Sequence, residues 1–214
     1  MNWLQYKKGN VKASGLSKRI VEALGSNLTS FFKKTQREQT THIMDSLTIL
    51  GKDGLPDGRE YKVMSNKISP YLRQGYTGPK QSAIFPSRYR GQFKPAEWLY
   101  DLHWYEEIAS YQMTSLPLVV ECEWEYKREG DEDEDDYSAV KWDFQKLLVA
   151  NACLRLMIFR KRTRFTKGNE HQDLLTNNYF EDSINGYSNL SGCSKFLFIA
   201  FDEKTRALHY AEKN

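Results

Sequence analysis

Apolar positions along the chain follow two periods, and the change from one to the other marks the elements. Residues 98–104, WLYDLHW, alternate as a strand does, so Asp101 and His103 share one face while Tyr100, Leu102 and Trp104 share the other. A second strand, LPLVVECEW over 116–124, opens at Pro117, where a missing donor is best tolerated. Val119, Glu121 and Glu123 lie on one of its faces, with Leu118, Val120, Cys122 and Trp124 behind. The period then lengthens. AVKWDFQKLLVANA, 139–152, is spaced as a helix with Val140, Phe144, Leu147 and Leu148 on one side, and Ser138 is placed to cap it. LRLMIF, 154–159, is apolar enough for a strand inside a sheet.

The remaining segments complete the outline. Ser17 is a candidate cap for a short helix ending at Gly25, and Ile43, Leu47 and Leu50 recur at helical spacing over 35–50. GKDGLPDG, 51–58, is dense in turn formers and reads as a loop. A helix over 171–187 would turn Leu174, Leu175 and Tyr179 inward, and 195–213 reads as a strand hairpin turning near Asp202 to Lys204. Helices, two strands, helix, strand, helix and two strands predict an α/β class with a mixed central sheet flanked by helices. Residues 1–60 form an N-terminal helical extension packed on a core domain of 61–214.

Two carboxylates at the end of an apolar strand are costly to leave unpaired in a dry interior, and a divalent cation removes that cost. Mg²⁺ prefers oxygen ligands and takes one or two protein carboxylates, which Asp101 and Glu121 can supply. Asp101, then Glu121-x-Glu123 closing an apolar strand, then a helix carrying a lysine is an order that resembles the PD-(D/E)xK nuclease superfamily. The resemblance spans roughly residues 97–210. It implies a restriction-endonuclease-like core and a metal-dependent nuclease, most simply a DNA endonuclease of the restriction, repair or phage-defence kind. It also implies Mg²⁺ or Mn²⁺ on Asp101, Glu121 and the backbone carbonyl of Cys122. Glu123 stands where the family usually has its lysine, so the resemblance moves that role to Lys146 on the following helix, with Lys141 as second choice. Glu123 keeps two roles, orienting the water or binding a second metal, and a salt bridge to Lys146 is compatible with either. A non-catalytic nucleic-acid-binding module with the same fold is the alternative, and an interaction protein with charged docking surfaces is a third.

Charge narrows the partner. The net +3 conceals seven acids in the eight residues 129–136, EGDEDEDD; without those seven the chain would stand at +10. Residues 61–96 hold seven Lys or Arg and no acid, interleaved with six aromatics, Tyr61, Tyr71, Tyr76, Phe85, Tyr89 and Phe93. Cations neutralise phosphates and aromatic faces stack on unpaired bases, which points to nucleic acid, DNA before RNA. Arg88, Arg90 and Lys94 in this stretch are the candidate contacts, joined by Arg160, Arg162 and Arg164 in a second basic cluster that ends at Lys167. The acidic insert is too polar to fold alone; it reads as a solvated loop, a phosphate mimic or a collector of cations.

The rest excludes more than it proposes. Three scattered cysteines, Cys122, Cys153 and Cys193, argue against a disulfide framework and a zinc site, and Cys122 reads as a small core residue. His103 shares the face of Asp101 and is a second-choice contact for a substrate phosphate, against the plainer reading of a polar strand-end residue. His42, His171 and His209 have no metal-ligand spacing. No Gly-rich phosphate loop, nucleophile elbow or dinucleotide fingerprint is present. No apolar run is long enough to span a bilayer and 1–25 lacks a signal-peptide core, so a cytoplasmic protein without a membrane partner is expected. A homodimer is compatible with this sequence.

Overall fold

The computed structural model describes residues 1–53, 60–75, 88, 90–96, 99–110, 112–125, 137–161, 178–190 and 195–214. The helices are α1 (Gly15–Gly25), α2 (Leu28–Phe31), α3 (Gln36–Lys52), α4 (Ser138–Val149) and α5 (Phe180–Gly186). The strands are β1 (Leu4–Gln5), β2 (Lys62–Met64), β3 (Leu102–Ala109), β4 (Gln112–Glu123), β5 (Leu154–Lys161), β6 (Lys195–Asp202) and β7 (Ala207–Lys213). All seven strands form one mixed sheet in the order β1-β7-β6-β5-β4-β3-β2. The β4–β5 and β5–β6 pairs are parallel and the other four antiparallel, so the fold is α/β with helices on both faces.

Alternation along the strands divides the core in two. Leu102, Trp104, Leu118, Val120, Cys122, Leu156, Ile158, Leu197, Ile199 and Leu208 face α1 and α3, where Ile20, Leu24, Ile43 and Leu47 meet them. Val119, Met157, Phe159, Phe196 and Phe198 face α4 and α5, against Val140, Phe144, Leu147, Phe180 and Ile184. Helices α1 and α3 thus lie on one face, joined there by Tyr61, Ile68, Tyr71 and Leu72, and β1 adds the edge strand beside β7, Leu4 opposite Tyr210. Where α3 ends, Gly51 is required by a close approach: a Cβ there would stand 2.7 Å from the Trp104 ring, on which Tyr61 stacks.

Several boundaries differ from the sequence expectation, each for a local reason. Strand β3 starts at Leu102, so Asp101 precedes it, and Tyr100 joins the α4 face instead of that of Leu102. Strand β4 starts at Gln112 and Pro117 lies inside it. The missing donor is tolerated because the β3–β4 register shifts between Trp104 and Glu106, while the β5 ladder begins only at Leu118. Ser17 is buried inside α1, whose N-cap position is Ser14, and Ser138 is the first residue of α4 after Tyr137. Neither helix has a side-chain cap; α3 does, with Thr35 and Glu38 exchanging a capping box, and it runs on through Lys52. Strands β1 and β2 are two and three residues long, too short to show a period. The rest of the 51–58 loop, the acidic insert 129–136, the first part of the 171–187 helix and Cys193 lie outside the described residues. Among the described residues no helix is long and apolar enough to cross a membrane.

Candidate functional site

The end of β4 and the start of β3 meet beside α4, and the chemistry-bearing side chains gather there. Glu121 is on the α4 face of β4 by alternation, and its side chain is fully buried. The crossover from β4 to β5 lays α4 over that face, and Lys146 reaches down from its last turn. The ammonium stands 2.9 Å from Glu121 Oε1 and 2.8 Å from Asp143 Oδ1, one turn back on the same helix. The contact to Glu121 is an ion pair by distance but not a well-aligned hydrogen bond, and neither Glu121 oxygen has a hydrogen-bond partner.

Asp101 closes the cluster from the other side. Its Oδ2 accepts the Cys122 N–H at 3.0 Å, which ties the residue ahead of β3 to the strand carrying Glu121. Its Oδ1 accepts directly from Lys67 Nζ. Lys67 arrives on the irregular segment after β2, held by Ser65, whose hydroxyl donates to the Asp101 carbonyl at 2.8 Å and accepts the Lys67 N–H at 3.2 Å. Glu123, half-buried at the strand end, accepts the Glu125 N–H at 2.7 Å.

Charge in this cluster is unbalanced. Among the described residues four carboxylates, Asp101, Glu121, Glu123 and Asp143, face two ammonium groups, Lys67 and Lys146, so the fully ionised cluster carries two negative charges that these lysines do not offset. The pKa values answer to burial first and to that excess second. Burial, then Asp101 and Asp143, push Glu121 up to about 8 against the pull of Lys146. Burial and the Asp143 carboxyl also raise Glu123, although the backbone N–H groups of Glu125 and Trp124 oppose them. Burial works to lower both lysines, but carboxylate contacts outweigh it: Asp143 and Glu121 hold Lys146 above its usual value, and Asp101 does the same for Lys67. A rise on the acids and a rise on the lysines are consistent because carboxylates outnumber ammoniums.

The structure therefore brings together Asp101, Glu121, Glu123 and Lys146, as the sequence order suggests, and adds Asp143 and Lys67. Lys141 lies elsewhere, 5.0 Å over the Tyr179 ring. His103 has the expected face but is wholly buried, between Tyr100 and Tyr105, and burial drops its pKa to about 4. It is a neutral core residue and not a phosphate contact. The Cys122 thiol points into the α1–α3 face, as expected of a core cysteine, and burial raises its pKa.

The basic candidates are dispersed. Exposed Arg88 pairs with Asp53 at 3.0 Å, and Arg90 is half-buried beside the turn where the Gly91 N–H meets the Tyr71 carbonyl. Lys94 lines a cleft of about 500 Å³ at the β2 edge with Lys52, Lys62, Tyr61 and Tyr105. Arg160, at the end of β5, pairs with Glu203 at 3.1 Å and lies 5.7 Å over the Trp124 ring. Arg162 and Arg164 lie outside the described residues. Of the interleaved aromatics, Tyr61 and Tyr71 are core residues and Phe93 packs against the core, so these three rings are spent on burial, while Tyr76, Phe85 and Tyr89 lie outside the described residues.

A second cleft, about 620 Å³, adjoins the cluster. The first turns of α3 (Gln36, Arg37, Thr40, Thr41) line one side, Asn66, Lys67, Ile68, Pro70 and Arg73 the other, and Cys122 to Glu125 the base. Among the described residues no group of three or more His, Cys, Asp or Glu is arranged to hold a metal ion as it stands. Compared with protein-family models, with curated proteins and with solved structures, the chain matches none. The resemblance to the nuclease superfamily is thus one of residue order alone.

Proposed function

We propose that the protein is a metal-dependent nuclease, an endonuclease acting on DNA, with Asp101, Glu121, Glu123 and Lys146 as its working residues. The observation that supports this reading is the two-charge excess of the carboxylate cluster at the carboxyl ends of the parallel strands, where open α/β sheets take their ligands. The residues fit a hard divalent cation in donor type: Asp101 and Glu121 offer carboxylate oxygens, and the buried Glu121 Oε2 accepts no hydrogen bond, although Lys146 and Lys67 stand on the neighbouring oxygens. Asp101 and Glu121 would hold Mg²⁺ or Mn²⁺, with the Cys122 carbonyl as a further candidate ligand. Such an ion, when bound, supplies Lewis acidity and lowers the pKa of water.

The chain's own groups do the rest. Lys146, held charged by Asp143, places a fixed positive charge beside Glu121, where it would offset negative charge developing on the phosphoryl oxygens. Glu123, at the end of β4 and raised in pKa, would orient a water and accept its proton. Asp101 takes its position from the Cys122 N–H, which ties the residue ahead of β3 to the strand that carries Glu121.

A second reading has its own support. Lys67 and Lys146 already answer Asp101 and Glu121, which suits a nucleic-acid-binding module that does not cut. Incubation with supercoiled plasmid and with RNA, in Mg²⁺, Mn²⁺ or EDTA, separates the two. Nicking or linearisation that needs metal and is lost in Glu121→Gln supports the nuclease; intact substrate under every metal leaves the binding module.

A further inference from the structure

We propose that the 620 Å³ cleft beside Glu123 seats one strand of nucleic acid, with its phosphates on Arg37 and Arg73. The proposal rests on the nucleic-acid reading above but not on catalysis. Three cations and the polar side chains of Gln36, Thr41 and Asn66 line the two sides, while the acids Glu123 and Glu125 lie at the base beside the carboxylate cluster. Among the described residues neither Arg37 nor Arg73 forms an ion pair, whereas Arg88 and Arg160 are already committed to Asp53 and Glu203. A strand lying here would place one phosphate toward Glu123 and the next on the cationic sides.

The cleft has cations on both sides, Arg37 on one and Arg73 on the other, which suits a single phosphate backbone lying between them. Its second side is also fixed in advance. Arg73 donates to the Ile68 and Asn66 carbonyls, both at 3.1 Å, and Asp45 accepts the Ser69 N–H at 2.8 Å. A preorganised wall spares the ordering cost that a mobile loop would pay on binding. Single-strand sites combine such a cationic groove with aromatic platforms; among the described residues Trp124 is the ring lining this cleft and it is buried, so phosphate charge carries the affinity and little base preference is expected.

Fluorescence anisotropy with a labelled oligothymidine of about 12 nucleotides, and with the matching duplex, tests this in EDTA, where nothing is cut. The exposed Arg37 is the residue to change, with Lys18→Ala on the exposed side of α1 as the control. The single strand should bind more tightly than the duplex. Arg37→Ala should weaken it about fivefold and reduce the slope of log affinity against log salt by about 0.7, one phosphate contact on a single strand. Lys18→Ala should change neither. Equal losses in both variants, no loss in Arg37→Ala, duplex binding as tight as single-strand binding, or no binding at all would each overturn the proposal. Failure of the nuclease reading looks different: Arg37-dependent binding with no metal-dependent cutting leaves the cleft in place, and cutting with Arg37-independent binding removes only the cleft.

Discussion

Asp45 offers a perturbation whose size follows from its surroundings. It sits on α3, almost wholly buried, with Oδ1 accepting the Ser69 N–H at 2.8 Å. Burial raises its pKa from 3.8 to about 6, against the opposing pull of Ser69 and of Arg73. A carboxyl raised on folding stabilises while protonated: the contribution is full below the unfolded pKa and is lost as pH rises through the folded one. The window here runs from about pH 4 to 6, and two pKa units correspond to a loss on the order of 3 kcal/mol. Asp45→Asn keeps an oxygen for the Ser69 N–H and removes the charge. Urea titrations should therefore show the variant more stable than the parent by up to about 3 kcal/mol at pH 7.5, and nearly equal to it at pH 4. A stability difference that stays the same across that range would refute the assignment of a strained buried charge. So would a variant less stable than the parent at pH 7.5, which would mean that the carboxylate is needed to hold the 66–73 wall.

Two further expectations concern the site and the core. Lys146→Ala should lower single-turnover cleavage by a factor on the order of 10², the cost of losing a preorganised electrostatic group, while Lys141→Ala should do much less; the reverse ranking would move the role to Lys141. Gly51→Ala forces a Cβ to 2.7 Å from the Trp104 ring and should cost on the order of 1–3 kcal/mol in urea melts, whereas an unchanged midpoint would show that Trp104 and Tyr61 can shift together.

What could be foreseen depended on periodicity. The nearness of Lys146 to the β4 carboxylates was legible because alternation fixes the face of β4 and helical spacing fixes the face of α4; its partner was not, since the sequence suggests a salt bridge to Glu123 and the structure pairs Lys146 with Glu121 and Asp143. Asp143 carries a usable signal, an acid three residues before the lysine and therefore on the same side of the helix. Lys67 carried none: it lies 34 residues before its partner Asp101, in an irregular stretch where no period fixes a direction. For His103 the face was readable but the depth was not, because β2 covers an edge that the sequence left open. The aromatics of 61–96 were ambiguous for the same reason, since a ring anchoring a loop and a ring waiting for a base are written alike.

The central claim is that Asp101 and Glu121 form a divalent-cation site whose excess charge the two lysines only partly offset. Mn²⁺ titration followed by the loss of its free electron-paramagnetic signal measures this without nucleic acid. The parent should take up about one ion with competition from Mg²⁺, and Asp101→Asn and Glu121→Gln should each abolish the uptake while remaining folded. Uptake unchanged in both variants, or absent in the parent, would contradict the account.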